Sequence, residues 1–232
     1  MKYMGSKARI AKHILPIIIK NRKEGQCYVE PFVGGANMID KVDGWRIGAD
    51  SNIDCIECLK VIRDKAGEIP KCNDEFGEES YANRCNGVEW LKPYAAFAFS
   101  FGGKFWGGFR RDKHGKRDYI AEAYRSSLKQ SPLLQGVEFI HSSYSELEIP
   151  YKSVIYCDPP YANTTKYKDD FDHELFWQWC REKVKEGHEV FISEYNAPDD
   201  FVCVWQKEIQ SGLNTNTTKK GAEKLFVHKS QA

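Results

Sequence analysis

No hydrophobic run in this sequence reaches the length that a membrane-spanning helix needs. The nearest, Ile14 to Ile19, is short, interrupted by Pro16 and flanked by lysines. The basic opening residues lead into neither a signal-peptide core nor a small-residue cleavage site. A cytoplasmic protein is expected, in the host cytoplasm if a phage encodes it. No full G-x-G-x-x-G follows a predicted strand, which counts against a nicotinamide oxidoreductase. Gly5-Ser6-Lys7 lacks the upstream glycine of a phosphate loop, so nucleoside triphosphate chemistry has little support. The eight cysteines are scattered. Cys55 and Cys58 fall in a helical pattern, and Cys72 and Cys85 lack the close spacing of a zinc knuckle. Reduced thiols and no metal are the expectation.

The chain does have material for a core. Its 232 residues are 41% hydrophobic, enough for one α/β domain carrying a sizeable insertion. The net charge of +1 hides an asymmetry: residues 1–24 carry +6 and residues 100–130 carry +5, leaving −10 elsewhere. Two basic patches on an otherwise acidic chain suggest a polyanion on one face, against the plainer reading of two solvated basic surfaces.

The most informative stretch is Asp158-Pro159-Pro160-Tyr161. It follows Val154-Ile155-Tyr156-Cys157, a continuous apolar run that predicts a buried strand. Each proline fixes its own φ and removes an amide donor, and the residue before a proline is kept out of the helical region. The strand therefore ends in a stiff loop at the carboxyl edge of a sheet, where open α/β sheets bind ligands. An aromatic amine is a poor nucleophile because its lone pair is delocalised into the ring. Asp158 and the Pro159 carbonyl could accept its two N–H bonds and free that lone pair, while Tyr161 offers a face for stacking. The alternative is a rigid corner with no chemistry.

In chain order, an amphipathic helix is predicted around Ile10, Ile14 and Ile17. Cys27 to Glu30 reads as the first central strand, then Pro31-Phe32-Val33-Gly34-Gly35-Ala36-Asn37 as a glycine turn and a helical run through Met38 and Ile39. Arg46 to Ala49 reads as a second strand ending at Asp50. A carboxylate there could grip a ribose diol or cap the helix that begins near Ile53. Residues 66–136 break the α/β rhythm and read as an insertion with its own small core. Phe97, Phe99, Phe101, Phe105, Trp106 and Phe109 alternate with glycines and lead into a basic run. Asp112 to Lys116 predicts a hairpin tip, and aromatic and cationic side chains interleaved on a loop suit nucleic acid. Val137 to Ile140 is a strand with Ser142-Ser143-Tyr144 at its end. Asn163 to Asp170 is a candidate gating loop. His173 to Lys185 is a helix with Leu175, Phe176, Trp179 and Val184 inward. Val190 to Ser193 is another buried strand. Phe201 to Trp205 and Leu225 to His228 form a closing antiparallel pair, with the polar loop Gly212 to Gly221 between them.

Taken together, these pieces resemble the Dam-like family of adenine-specific DNA methyltransferases over nearly the whole chain. Tyr3-Met4-Gly5-Ser6-Lys7 resembles its N-terminal cofactor motif, Glu30-Pro31-Phe32-Val33-Gly34-Gly35 its glycine loop, and Ala49-Asp50-Ser51-Asn52 its ribose motif. Trp106 to Lys116 resembles its DNA-contacting hairpin, and Asp158 to Tyr161 matches its catalytic tetrapeptide in full. Two departures stand out. Gly34-Gly35-Ala36 replaces the commoner Gly-x-Gly, and Ser143 and Tyr144 stand where the family often has an Asp-Phe pair near the cofactor adenine.

The resemblance implies a Rossmann-like methyltransferase sheet formed by residues 1–65 and 137–232, with a smaller helical and hairpin target-recognition domain at 66–136. It implies methyl transfer from S-adenosylmethionine to the N6 amine of an adenine flipped out of duplex DNA. Asp158, Pro159, Pro160 and Tyr161 would be catalytic. Tyr3, Lys7, Glu30, Phe32, Gly34, Gly35, Asp50, Ser143, Tyr144 and Asp158 would bind cofactor. Lys104, Arg110, Arg111, Lys113, Lys116 and Arg117 would contact DNA. Nothing demands more than a monomer, and a restriction system, a phage or a housekeeping pathway would all fit. Rival readings are transfer to the cytosine amine or to adenine in RNA, and a DNA-binding protein of the same fold that has lost cofactor binding.

Overall fold

In the computed structural model the described residues are 1–112, 114–161, 171–210 and 220–232. The candidate gating loop 163–170, Lys113 and residues 212–219 of the polar loop lie outside them. The chain forms a seven-stranded sheet with six α-helices among the described residues. The strands are β1 (Tyr28–Glu30), β2 (Arg46–Asp50), β3 (Val137–His141), β4 (Val154–Cys157), β5 (Glu189–Glu194), β6 (Phe201–Gln210) and β7 (Lys220–His228). Their order is β3-β2-β1-β4-β5-β7-β6. All neighbours are parallel except β7, which pairs antiparallel with both β5 and β6. This is the expected α/β Rossmann-like sheet.

The two central strands are buried along their whole length, as strands covered on both faces must be. Period-two alternation sends Tyr28, Val154 and Tyr156 to one face and Val29, Ile155 and Cys157 to the other. The first face is covered by α1 (Ala11–Ile18), α2 (Ile53–Lys65), α4 (Lys92–Ala98) and α5 (Tyr119–Leu134), with the short α3 (Glu78–Ala82) between α2 and α4 in the chain. The second is covered by α6 (His173–Lys185). The helix starts are set locally. Asn52, Asp118 and Asp172 each accept backbone N–H groups in the first turn of α2, α5 and α6.

Several expectations need correction. The helical run after the glycine turn is one short 3-10 helix, Ile39–Lys41, capped at Met38, rather than a longer α-helix. Gly34 and Ala36 take positive φ, and Arg46 donates to the Ile39 carbonyl, which fixes this segment as a compact loop. The cap of α2 is Asn52; Asp50 accepts from Asn52 N and leaves the helix end to it. On α6 Leu175 is exposed, because Phe176, Trp177, Trp179 and Cys180 define the inward face.

The stretch 66–136 also differs from its expectation. Among its described residues Tyr94, Phe97 and Phe99 pack in one cluster with Ile14, Ile56 and Leu59 and not in a core of their own. Its helix α5 runs into β3 as an ordinary crossover. Among the described residues the expected hairpin is a single bridge, Ser100 to Phe109, and Gly115 N donates to the Asp112 carbonyl at 3.2 Å. The Asp112 carboxylate organises that turn by accepting from the backbone of His114, Lys116 and Arg117. Among the described residues, no helix is long and apolar enough to cross a membrane.

Candidate active site

Strand order reverses between β1 and β4, and open α/β sheets form their ligand crevice at such a switch point. The loops that leave these two strands carry the glycine turn and Asp158-Pro159-Pro160-Tyr161. The folding of two separate strands thus puts both motifs on one crevice.

Asp158 is the hub. Its Oδ1 is buried and accepts no aligned hydrogen bond, but the Lys7 ammonium approaches to 2.9 Å as an ion pair. The side chain as a whole is 20% exposed, and since Oδ1 is enclosed that exposure belongs to its other atoms. Lys7 also lies 3.8 Å from Glu223 Oε2 and 4.5 Å from the Tyr161 ring centre. The Tyr161 hydroxyl donates to Glu223 Oε2 at 2.8 Å, and the Tyr195 ring meets Tyr161 edge-on at 4.6 Å.

The electrostatics follow from this enclosure. Burial raises the Asp158 pKa, Lys7 opposes the rise, and Glu223 adds to it. Burial alone would lower Lys7, but Asp158 and then Glu223 more than reverse that, so Lys7 is raised. The two partners move the same way because the pair is unequal: Lys7 faces two carboxylates, whereas Asp158 has one cation and an acidic neighbour. Burial, then the neighbouring Asp158 and Glu223 charges, keeps the Tyr161 phenol protonated.

The glycine loop is closely covered. A Cβ on Gly34 would lie 3.0 Å from the Tyr3 ring, and one on Gly35 only 2.7 Å from Tyr3 Cβ and 2.5 Å from Asn37 Nδ2. Only glycine lets Tyr3 lie so near this backbone. Cys55 donates its thiol to the Gly34 carbonyl at 3.0 Å. Asp50 accepts from Gly34 N at 3.1 Å and from Asn52 N at 3.0 Å, tying the loop to the tip of β2. Burial raises its pKa and these hydrogen bonds oppose the rise. Glu30, at the end of β1, is buried and accepts from the Tyr28 hydroxyl at 2.9 Å. Enclosure pushes its pKa well up, so Glu30 holds its proton far above the ordinary carboxylate range.

Phe32 and Tyr144 stack at 5.4 Å between ring centres, beside Phe171 and Phe176. Ser143 Oγ donates to Glu146 Oε2 at 2.8 Å. Tyr3, Lys7 and Asp158 thus sit with the glycine loop and β4 tip, while Phe32 joins Tyr144 and Ser143 belongs to the next turn. The sequence reading missed Glu223 and Tyr195. Tyr195 follows β5 at the same sheet edge as the tetrapeptide, a position that could have drawn notice. Glu223 carried no signal, because only the insertion of β7 between β5 and β6 brings it to Lys7.

The cations of the second patch are placed unevenly. Lys104 and Lys116 are exposed. Arg111 pairs with Glu78, and Arg117 grips Glu122 through two 2.8 Å hydrogen bonds. Arg110 is only 9% exposed and lies over the Tyr119 ring at 4.2 Å. Lys113 lies outside the described residues. Cys55, Cys58 and Cys85 are buried, and no group of three or more metal-binding side chains gathers among the described residues.

The sheet order, with one reversed strand inserted next to the edge, defines a Rossmann-like α/β architecture, and Asp158 stands at its switch point. Residues 3–85 match the family model of the D12 class N6 adenine-specific DNA methyltransferases. No curated protein matches the chain. Among solved structures it is similar to SMU.472, described as a candidate methyltransferase complexed with SAH, at 10% identity and a TM-score of 0.36. That match covers 98% of this chain and 54% of the other, so the chain spans about half the length of that relative.

Proposed function

We propose that this protein transfers a methyl group from S-adenosylmethionine to the N6 amine of adenine in duplex DNA, with the target base flipped out of the stack. The observation that carries the reading is the Lys7-bound Asp158 at the head of Asp158-Pro159-Pro160-Tyr161, beside the β1 glycine loop. The match of residues 3–85 to an adenine-specific family supports it.

The residues present fit the cofactor chemically. The tip of β2 offers a carboxylate, Asp50, and the Phe32 and Tyr144 rings offer an apolar stack. Asp158 Oδ1 is a buried acceptor with no aligned hydrogen bond. On this reading Asp50, Phe32, Gly34, Gly35 and Tyr144 hold the cofactor, with Tyr3, Lys7, Glu30 and Ser143 bordering the same crevice. Bound S-adenosylmethionine supplies an electrophilic methyl on a sulfonium that is already a good leaving group.

Asp158 and the Pro159 carbonyl accept the two amine N–H bonds, and Tyr161 takes the base against its ring. Positioning supplies much of the rate. The nitrogen gains the methyl and loses one proton, and Asp158, its affinity for protons raised by burial, can accept it. Flipping costs a few kcal/mol, which contacts from residues 66–136 offset. In that target-recognition region the exposed Lys104 and Lys116 meet backbone phosphates. A monomer suffices for this chemistry.

The test is transfer of labelled methyl to unmethylated DNA, with Asp158→Ala alongside and the product base identified by mass. N6-methyladenine that vanishes in the variant is expected. Methylcytosine, or transfer to RNA alone, would replace the substrate. No transfer despite DNA binding would leave a binding protein of the same fold.

A further inference from the structure

Away from the Asp158 crevice, a cavity of about 220 Å³ opens between the N-terminal segment, α4 and α5. Lys2, Tyr94, Arg110, Glu122 and Ser126 are among its lining residues. Arg110 is nine-tenths buried there. Its backbone N–H donates to the Phe99 carbonyl, and its guanidinium rests on the Tyr119 ring. Among the described residues that guanidinium has no hydrogen-bond acceptor and no ion-pair partner. A guanidinium carries five N–H donors in a fixed fork. The Arg110 nitrogens are not among the enclosed unpaired atoms, so the side chain is held in the protein while the fork faces the open cavity.

Cations outnumber carboxylates around the cavity. Glu122 is the lone carboxylate among the lining residues, and Arg117 already holds both of its oxygens, at 2.8 Å each. Tyr94 and Ser127 share a 2.8 Å hydrogen bond with each other. Arg110 and the exposed Lys2 thus bring two positive charges to one small space that holds a single carboxylate, Glu122. Burial lowers the pKa of each, the Arg110 charge lowers Lys2 further, and Glu122 opposes the fall in both.

We propose that this cavity binds a phosphate group, held by the planar fork of Arg110 and the ammonium of Lys2. A phosphate oxygen pair matches the fork, and its charge neutralises both cations. Lys2 adjoins Tyr3, whose ring covers Gly34, and a Cβ on Gly103 would lie 2.8 Å from the Lys2 carbonyl. A phosphate here would thus brace the segment that carries Tyr3 and Lys7. The phosphate could belong to a DNA strand or to a small phosphorylated ligand. The site stands apart from the methyl-transfer reading, because it can be tested without methyl donor.

The test titrates inorganic phosphate calorimetrically into the intact protein and into Lys2→Gln and Arg110→Gln, with thermal melts as the folding check. Binding to the parent and at least tenfold weaker binding in both variants are expected. No binding to the parent, or unchanged affinity in a folded Lys2→Gln, overturns the proposal. Should Arg110→Gln not fold, Lys2→Gln decides. A duplex-binding series against salt then separates the sources. A slope reduced by about one in Lys2→Gln marks a DNA phosphodiester. An unchanged slope, with phosphate binding lost, marks a small phosphorylated ligand.

Discussion

Lys7 and Asp158 are joined at 2.9 Å across the switch point of the sheet, and Glu223 of β7 stands 3.8 Å from the same ammonium. The lysine keeps a buried carboxylate usable as an acceptor. Lys7→Met would remove the charge that opposes the burial-driven rise of Asp158. The acidic limb of the pH–rate profile for methyl transfer is expected to move to higher pH, with the rate falling about 10²-fold or more near neutrality. A limb that stays in place would show that Lys7 does not set the ionisation of Asp158.

Glu30 gives a stability prediction of definite sign. Unfolded, it loses its proton near the ordinary glutamate value of 4.5; folded, enclosure holds the proton to much higher pH. The native state then binds more protons than the unfolded one, so this group weakens the fold as pH rises through that window. Glu30→Gln keeps an acceptor for Tyr28 and removes the titration. The variant should match the parent below about pH 4 and gain on it as pH rises, as read from urea midpoints across the range.

Gly35 has no room for a methyl group. Gly35→Ala would press on Tyr3 and Asn37 at 2.7 and 2.5 Å. A stability loss of about 1–3 kcal/mol is expected, together with weaker calorimetric binding of S-adenosylmethionine. Wild-type affinity in a folded variant would place the cofactor away from this loop.

Arg46 is a structural cation. It is 8% exposed and donates to the carbonyls of Leu133 and Gln135 at 2.8 and 2.6 Å, besides Ile39 at 3.3 Å. Arg46→Met should cost about 2–3 kcal/mol, because those carbonyls lose a charged donor. The urea midpoint should fall without a change in slope.

Lys104 and Lys116 are exposed in the second basic patch. Replacing each with Ala should weaken duplex binding evenly across sequences and reduce its log–log salt slope by about one per lysine. Filter binding at several salt concentrations measures this. An unchanged slope would take the DNA elsewhere on the surface.

The sequence by itself determined the strands and the ends that matter. Continuous apolar runs made β1 and β4 central, and two prolines stopped β4 at Asp158, because such signals act within a few residues. Asn52, Asp118 and Asp172 set helix starts for the same local reason. The tertiary structure decided what those ends meet. Glu223 reaches Lys7 only because β7 enters between β5 and β6, and Phe97 and Phe99 join the main core only because α4 packs on α2. Arg110 reads as one more cation in a basic run until burial beside Tyr119 sets it apart. Burial and charge pairing are made by residues far apart in the chain, and so these features had no local pattern to announce them.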